Sequence, residues 1–497
     1  MRNRRVICDA LDSLWRRLGP RSAIREADRD LPYAELLDWS QRISQVLSPV
    51  LRQSGQRVAL LLPNSAAFVA AFFGVARLGG VVAPLNVRYR AQELKYYLED
   101  LDAVALVTES RCAEHVAAVL PALRNPPAVV HVSFRGGAVL VSRGRREGRA
   151  LVAARSTPLV QQYTSGSTGQ PKRVVRTHAD LATELEALRA ALGTTERDRF
   201  LGAAPFSHVN GMVRTMMSAM HAGATLYPVD EFRRREVLEL ISRERISFLG
   251  GVPHIYALLA QTPGRGAADL SSLRVAFSSS APLLAADARR FAERYGVPVR
   301  QLYGSTETGT ISFNGAPRPQ ARPESVGTPL EGVWVSVVDE RGAPVSPGAE
   351  GELVVRSRHA ASGYLENEQA TRASFHDGAY FTGDLGTMDE QGHIRITGRR
   401  TLMINRGGFK VNPYEVEAAI REHPKVDDVV VTAAPAAQGD ELVCAIVVSS
   451  QGCTAQEILA HCRRLIADYK IPARVEFRDG LPKSAAGKVL RAQLMRS

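Results

Sequence analysis

Residues Tyr163-Thr164-Ser165-Gly166-Ser167-Thr168-Gly169-Gln170-Pro171-Lys172 combine hydroxyls, glycines and a single lysine. Such a stretch suits phosphate oxygens, because glycines let backbone N–H groups approach an anion, hydroxyls add donors and the lysine supplies a mobile positive charge. Its spacing departs from the P-loop form, which sets four residues between its first glycine and Gly-Lys-Ser/Thr. Taken alone, it also reads as a flexible Ser/Gly linker. Further sets follow in order: Tyr303-Gly304-Ser305-Thr306-Glu307-Thr308-Gly309, then Tyr380-Phe381-Thr382-Gly383-Asp384, then Gly398-Arg399. Gly407-Gly408-Phe409-Lys410 and the run through Glu417 come next, and Pro482-Lys483-Ser484-Ala485-Ala486-Gly487-Lys488 comes last. Lysine is scarce in this chain, yet Lys172, Lys410, Lys483 and Lys488 all fall inside these sets.

With Val58 to Leu62, Pro63-Asn64 and Phe68 to Pro84, these sets resemble the adenylate-forming superfamily over nearly the whole chain. That superfamily groups acyl-CoA synthetases, nonribosomal peptide adenylation domains and firefly-type luciferases. The resemblance implies attack of a carboxylate on the α-phosphorus of ATP, giving an acyl-adenylate and pyrophosphate, then attack of the coenzyme A thiol on the activated carbonyl. A carboxylate is already ionised at neutral pH, so the first step needs cations and donors that bring two anions together, rather than a strong base. By the same resemblance, Thr164, Ser165, Gly166, Ser167, Thr168, Gly169 and Lys172 hold the β- and γ-phosphates. Glu307 binds Mg²⁺, a hard cation that prefers oxygen ligands, and Thr306 reaches the α-phosphate. Tyr303 flanks the adenine, Asp384 accepts both ribose hydroxyls, and Arg399 assists at ribose and phosphate. Lys488 enters the cleft on a C-terminal loop, where a point charge on a flexible stem bridges nucleophile and electrophile. In isolation, Glu307 reads as a loop carboxylate, Asp384 as a turn residue and Lys488 as a solvated tail lysine.

Pro205-Phe206-Ser207-His208-Val209-Asn210-Gly211 resembles the segment lining the acyl pocket and thiol tunnel, with His208 at the gate. Val209 stands where amino-acid-activating relatives place an aspartate, so an α-amino acid substrate would leave its ammonium unpartnered. Met212, Met216, Ser278, Ser279, Ser280, Ala281 and Gly304 complete the expected pocket, whose small residues favour a bulky aryl, cyclic or medium-chain acid. Gly407, Gly408 and Lys410 are expected along the pantetheine channel. Two departures stand out: Arg173 replaces the usual glycine at the loop exit, and Arg400-Thr401-Leu402 replaces the polar hinge after Arg399. A leucine at the hinge, Leu402, biases the domain swivel, or else Thr401 takes the dihedral change.

The elements that must position these groups alternate. Val58 to Leu62, Ala66 to Leu78 and Val81-Val82 read as strand, helix, strand, and Ala91 to Asp100 with Val104 to Val107 repeats the pattern. Thr225 to Tyr227 and Arg274 to Ser278 follow suit, which predicts an α/β fold of parallel sheets covered by helices. From Gly332 short strands with Gly/Pro turns, such as Val333 to Val338 and Gly351 to Val355, predict a β-rich subdomain over about 325–398. After a hinge at 399–402, a mobile α+β domain at 403–497 is expected: helix Pro413 to Glu422, strands Val426 to Thr432 and Val443 to Val448, and helix Thr454 to Ala467. Residues 1–398 form the large N-terminal domain in this reading.

A length of 497 residues supports two or three cores. The longest apolar run, Phe68 to Ala76, is far short of the roughly 20 residues of a membrane span, and Met1 to Pro20 lacks a signal-peptide core, which places the chain in the cytoplasm. Five cysteines without CxxC spacing argue against a disulfide framework or zinc site. The net charge of +12 is nearly all arginine, and its densest cluster, Arg143, Arg145, Arg146 and Arg149, reads as a solvated loop rather than a nucleic-acid surface. An acyl-CoA synthetase is the leading expectation. An adenylating enzyme that serves a phosphopantetheinyl carrier protein or separate partner is the rival, and the oligomeric state stays open. A degenerate nucleotide-binding paralogue would be expected to have lost Lys488, Glu307 or Asp384, and all three are present.

Overall fold

The computed structural model describes residues 7–27, 29–133, 153–164, 171–263, 268–406, 409–436, 441–483 and 489–494. Two sheets form the larger part. In the first, Ala128–His131, Ala105–Thr108, Arg57–Leu61, Val81–Pro84 and Pro158–Thr164 run parallel in that order, and Lys172–Thr177 closes the edge antiparallel. Helix Ala66–Arg77 (AAFVAAFFGVAR) is apolar on every side, and it is correspondingly buried on every side. Ser65 caps it by accepting a hydrogen bond from the Phe68 N–H. Gly74 lets helix Tyr33–Leu47 pack close: a Cβ there would lie 2.8 Å from the Ile43 side chain.

The second sheet has a parallel half, Ser22–Glu26, Thr225–Pro228, Arg199–Gly202, Phe248–Gly251, Val275–Ser278 and Val299–Ser305 in that order. Short, fully buried runs such as VAFS and FLGG are what a helix-covered parallel strand requires. At Val299–Ser305 the pairing turns antiparallel and continues through Gly309–Phe313, Ser325–Pro329, Ile394–Arg399, Ala379–Met388, Gly351–Ser357 and Val333–Val338. The β-rich segment is therefore hydrogen-bonded into the same sheet as the parallel strands.

After Arg399 come the hairpin Ile404–Arg406 with Phe409–Val411, helix Pro413–Arg421, and a sheet of Asp428–Pro435, Glu441–Val448 and Arg474–Phe477. Their side chains build a separate core around Val416, Ile420, Val431, Val443 and Ile458. Thr454 caps its helix as expected, but the helix stops at Arg463, where Leu465 and Ile466 N–H groups turn back onto the Cys462 carbonyl. The N-terminal helix Ile7–Leu18 went unread in the sequence; Ile7, Leu11, Trp15 and Leu18 form its buried stripe. Among the described residues no helix is long and apolar enough to cross a membrane. The Arg143 to Arg149 cluster lies outside the described residues.

Candidate active site

The turn between Pro158–Thr164 and Lys172–Thr177 opens at the pair Thr164↔Lys172. Of the expected phosphate cradle, Thr164 and Lys172 are described, and Ser165, Gly166, Ser167, Thr168 and Gly169 lie outside the described residues. Lys172 Nζ sits 4.6 Å from the centre of the Tyr364 ring. The Tyr364 hydroxyl donates to Glu307 Oε1 at 2.9 Å, and the Ala361 N–H donates to the Glu307 carbonyl at 2.7 Å. Lys172, Tyr364 and Glu307 thus meet at one edge of the sheet, with Thr306 half-buried in the adjoining turn. Arg173 is anchored outward, donating to Glu366 at 2.6 Å and to the Asp100 carbonyl at 3.3 Å.

A second corner forms where Ala379–Met388 pairs with Ile394–Arg399. The register Asp384↔Arg399 brings Arg399 Nε to 3.3 Å from Asp384 Oδ1, while the Tyr303 hydroxyl donates to Oδ2 at 2.7 Å. Gly383, at φ +71°, makes the turn that presents Asp384, and its N–H is held by the buried Glu352. Burial and the Asp384 charge raise the Tyr303 phenol far above its ordinary range, so it stays a donor. Burial alone would lower Arg399, but Asp384 and neighbouring tyrosines outweigh it and hold the guanidinium firmly charged.

The segment expected to line the acyl side includes Asn210–Met217, wound as a π-helix and buried throughout. Ser218 Oγ and Thr215 Oγ1 donate to carbonyls five residues earlier, Val213 and Asn210, as the wide turn permits. Gly211 is obligatory there, since a Cβ would lie 2.2 Å from the Pro205 carbonyl oxygen. His208 is half-buried with Nε2 shielded and unpartnered, and burial lowers its pKa to about 4, so it is a neutral imidazole. Val209, Met212 and Met216 are buried beside it. Ser279 is buried and Ser280 is exposed at φ +75°.

Behind Gly304 lies a group of residues that the sequence reading missed. Arg176 Nη1 meets Glu184 Oε2 at 2.6 Å, both side chains being sealed from solvent. Glu184 Oε1 accepts from the Thr310 N–H at 2.8 Å and from its hydroxyl at 2.7 Å. Arg214 donates from Nε to Thr310 Oγ1 at 3.1 Å and from Nη1 to Ser279 Oγ at 2.7 Å. Burial would raise the Glu184 carboxyl, but Arg176, His359 and Arg214 prevail and hold it down at about 2. Two signals were available in the sequence. Glu184 shares a helix face with Leu181, Leu185 and Leu188, and Arg214 interrupts an apolar run.

Leu402 closes the short turn Arg400–Leu402 and is half-buried, and Arg400 is tied to Glu352 at 2.6 Å. Gly407, Gly408 and Lys488 lie outside the described residues, as does the Lys410 side chain. The last motif is fixed at its start, where Lys483 Nζ contacts Asp428 at 2.6 Å and His254 Nδ1 at 3.2 Å. Arg421 reaches Asp287 at 3.6 Å, so the C-terminal part rests on helices Pro253–Ala260 and Ala285–Tyr295.

Buried histidines set the acid limit of this assembly. His178 has neither ring nitrogen partnered, and burial lowers it from 6.5 to about 4; burial lowers His359 as well. Between about pH 6.5 and 4 the unfolded chain binds the protons that these sites refuse, so stability falls as pH falls, by up to about 3 kcal/mol from His178 alone. Glu184 works lower: its contribution is complete above its ordinary 4.5 and is lost toward about 2. Resistance to urea is expected to fall already below pH 6.5. A His178→Leu variant should flatten that slope, and an unchanged slope would contradict the assignment.

The family model for the AMP-binding enzyme matches residues 13–365, and that for the AMP-binding enzyme C-terminal domain matches residues 415–488. The oxalate–CoA ligase of Arabidopsis thaliana is 31% identical over 97% of this chain and 96% of its own. The indoleacetate–CoA ligase of Aromatoleum aromaticum is 33% identical over 94% of this chain and 93% of its own. The crystal structure of ATP-bound MatB from Rhodopseudomonas palustris superposes with a TM-score of 0.86 at 29% identity, covering 98% of each chain. The chain belongs to the AMP-binding enzyme family, within the adenylate-forming superfamily, and is by class an AMP-forming acid–thiol ligase.

Proposed function

We propose that the protein activates a carboxylic acid with ATP to an acyl-adenylate, releasing pyrophosphate, and then transfers the acyl group to the thiol of coenzyme A. The observation that carries this reading is that strand Val299–Ser305 and the turn after it serve two corners: Tyr303 joins Asp384 and Arg399, and Glu307 joins Tyr364, whose ring faces Lys172 at the edge of the other sheet. Asp384 takes the ribose hydroxyls, Arg399 and Tyr303 brace it, and Lys172 with Thr164 to Gly169 holds the terminal phosphates. Glu307 would hold Mg²⁺. One Glu307 oxygen is fixed by Tyr364, no described residue bonds the other, and a single carboxylate with phosphate oxygens suits this ion. When bound, the ion supplies charge neutralisation of the polyphosphate. Neutral His208 lines the path of the acid without adding charge.

The large domain runs to Gly398, and the C-terminal domain turns about Arg400–Leu402 so that Lys488 serves the first step and Gly407, Gly408 and Lys410 serve the thiol. We place the enzyme in the cytoplasm and its acid among aryl, cyclic or medium-chain carboxylates, the small residues Ser279 and Gly304 supporting the latter. Incubation with ATP, Mg²⁺ and a pool of such acids, with and without coenzyme A, followed by mass spectrometry, tests the reading. A thioester appearing with coenzyme A is expected. Acyl-adenylate without thioester would overturn the second step, and absence of both would overturn the whole.

A further inference from the structure

Arg214 is 2% exposed and lies in the middle of the buried π-helix. Its Nε and Nη1 are occupied by Thr310 and Ser279, but Nη2 is shielded from solvent and has no hydrogen-bond partner among the described residues. That nitrogen points at Gly304: a Cβ on Gly304 would lie 2.4 Å from it, and the Gly309 carbonyl oxygen would be 2.3 Å away. Gly304 adjoins Tyr303, which braces Asp384, so Nη2 sits directly behind the segment that frames the nucleotide corner. Asn210 Oδ1, Ser278 Oγ and His208 Nε2 are likewise shielded and unpartnered. Unsatisfied polar atoms are rare in native interiors, and each one calls for an explanation, of which a polar ligand is one.

The local charge does not balance. Among the described residues Glu184 is the one carboxylate that acts on Arg214, and it is already in contact with Arg176. Two guanidiniums therefore share one carboxylate, and His359 is held neutral by burial. The deficit shows in Arg214 itself, whose pKa burial pulls down to about 10 despite Glu184. A buried arginine of this kind is normally matched by a second anion.

We propose that Arg214 is a specificity-determining residue whose free Nη2 binds a second carboxylate on the substrate, so that the enzyme acts on dicarboxylic acids. This rests on the proposed acid activation and narrows its substrate. The reacting carboxylate is a poor candidate for the same contact, because a fixed guanidinium would hold its negative charge away from the α-phosphorus. The distal group has no such conflict. Thr310 and Ser279 fix the fork, and Gly304, lacking a side chain, lets Nη2 lie directly against the segment that follows Tyr303.

The test uses the full chain and matched pairs: benzoate with terephthalate, cyclohexanecarboxylate with its 1,4-dicarboxylate, and heptanoate with heptanedioate. AMP release is followed with ATP, Mg²⁺ and coenzyme A. In at least one pair the diacid is expected to exceed the monoacid in kcat/KM by about 100-fold or more, as sites built to bond a polar group reject analogues lacking it. Arg214→Met should bring the diacid-to-monoacid ratio of kcat/KM down toward one, and Arg214→Lys should retain part of the preference. Should Arg214→Met fail to fold, the wild-type ratio and a diacid-specific rise in its melting temperature without ATP decide the matter. Monoacid preference in every pair, or equal loss of both acids in Arg214→Met, overturns the proposal while leaving acid activation standing. AMP release with none of the acids would overturn both.

Discussion

Lys488→Ala is expected to slow acyl-adenylate formation by roughly 10²–10³-fold, the scale on which loss of one preorganised charge or donor acts. Attack of coenzyme A on supplied acyl-adenylate should be slowed much less. The asymmetry follows from charge. In the first step a carboxylate must approach a polyanion, and a cation that spans both is most valuable as the new bond forms. In the second step a thiol attacks a carbonyl whose leaving group, AMP, is in the proposed reading already held by Asp384, Arg399 and Tyr303, which contact one another. Lys483, at the start of the same motif, pairs with Val489 and touches both Asp428 and His254. Single-turnover pyrophosphate release reads the first step, and thioester formation from synthetic acyl-adenylate reads the second. An interaction confined to the transition state lowers kcat and kcat/KM together, so that pattern is expected for the first step. Equal loss in both steps would remove Lys488 from its assigned role.

The contrast between what the sequence made legible and what it hid has a physical origin. Strands such as Val333–Val338 and helices such as Ala66–Arg77 are written in local periodicity, and they were read to within a residue or two. Asp384, Arg399 and Tyr303 were read from their motifs, and the strand register then placed them together. Tyr364 escaped notice because it belongs to no motif; it reaches Glu307 across 57 positions of chain. The Arg176–Glu184–Arg214 group is similarly non-local, joining a strand, a helix and a π-helix, and no spacing rule records such a meeting. The continuous sheet was hidden for the same reason. The texture change at Gly332 is real, but the pairing of Gly327 with Ile394 that carries hydrogen bonds across it depends on tertiary register. What marked the missed residues was incongruity, a charge on an otherwise apolar face.

Glu184→Gln is expected to destabilise the large domain by about 3–5 kcal/mol, because it leaves Arg176 and Arg214 buried without their shared anion. The amide can keep a donor–acceptor contact with Thr310 but cannot satisfy two guanidiniums that Glu184 now restrains at full charge. Space offers no relief. Gly309, at φ +70°, packs so tightly that a Cβ there would lie 2.6 Å from Glu184 Oε2, so the side chain cannot swing aside. Denaturant unfolding should show an earlier first transition, read as a change in that transition alone because a chain with separate cores need not unfold in one step. The paired variant Glu184→Leu with Arg176→Met removes charge from both members of the direct ion pair and should recover the part of the loss that belongs to Arg176, since an apolar pair of similar volume avoids the desolvation that a broken ion pair suffers, while Arg214 and the Thr310 donors stay without their acceptor. If Glu184→Gln proved as stable as the wild type, the carboxylate would not be the counter-ion that both arginines require. If the double variant were no better than the single, the cost would lie with Arg214 and the Thr310 contacts rather than with the Arg176 pair. Arg214 would still face Gly304 in either protein, so the double variant separates the anion that holds the fold from the anion that the substrate brings.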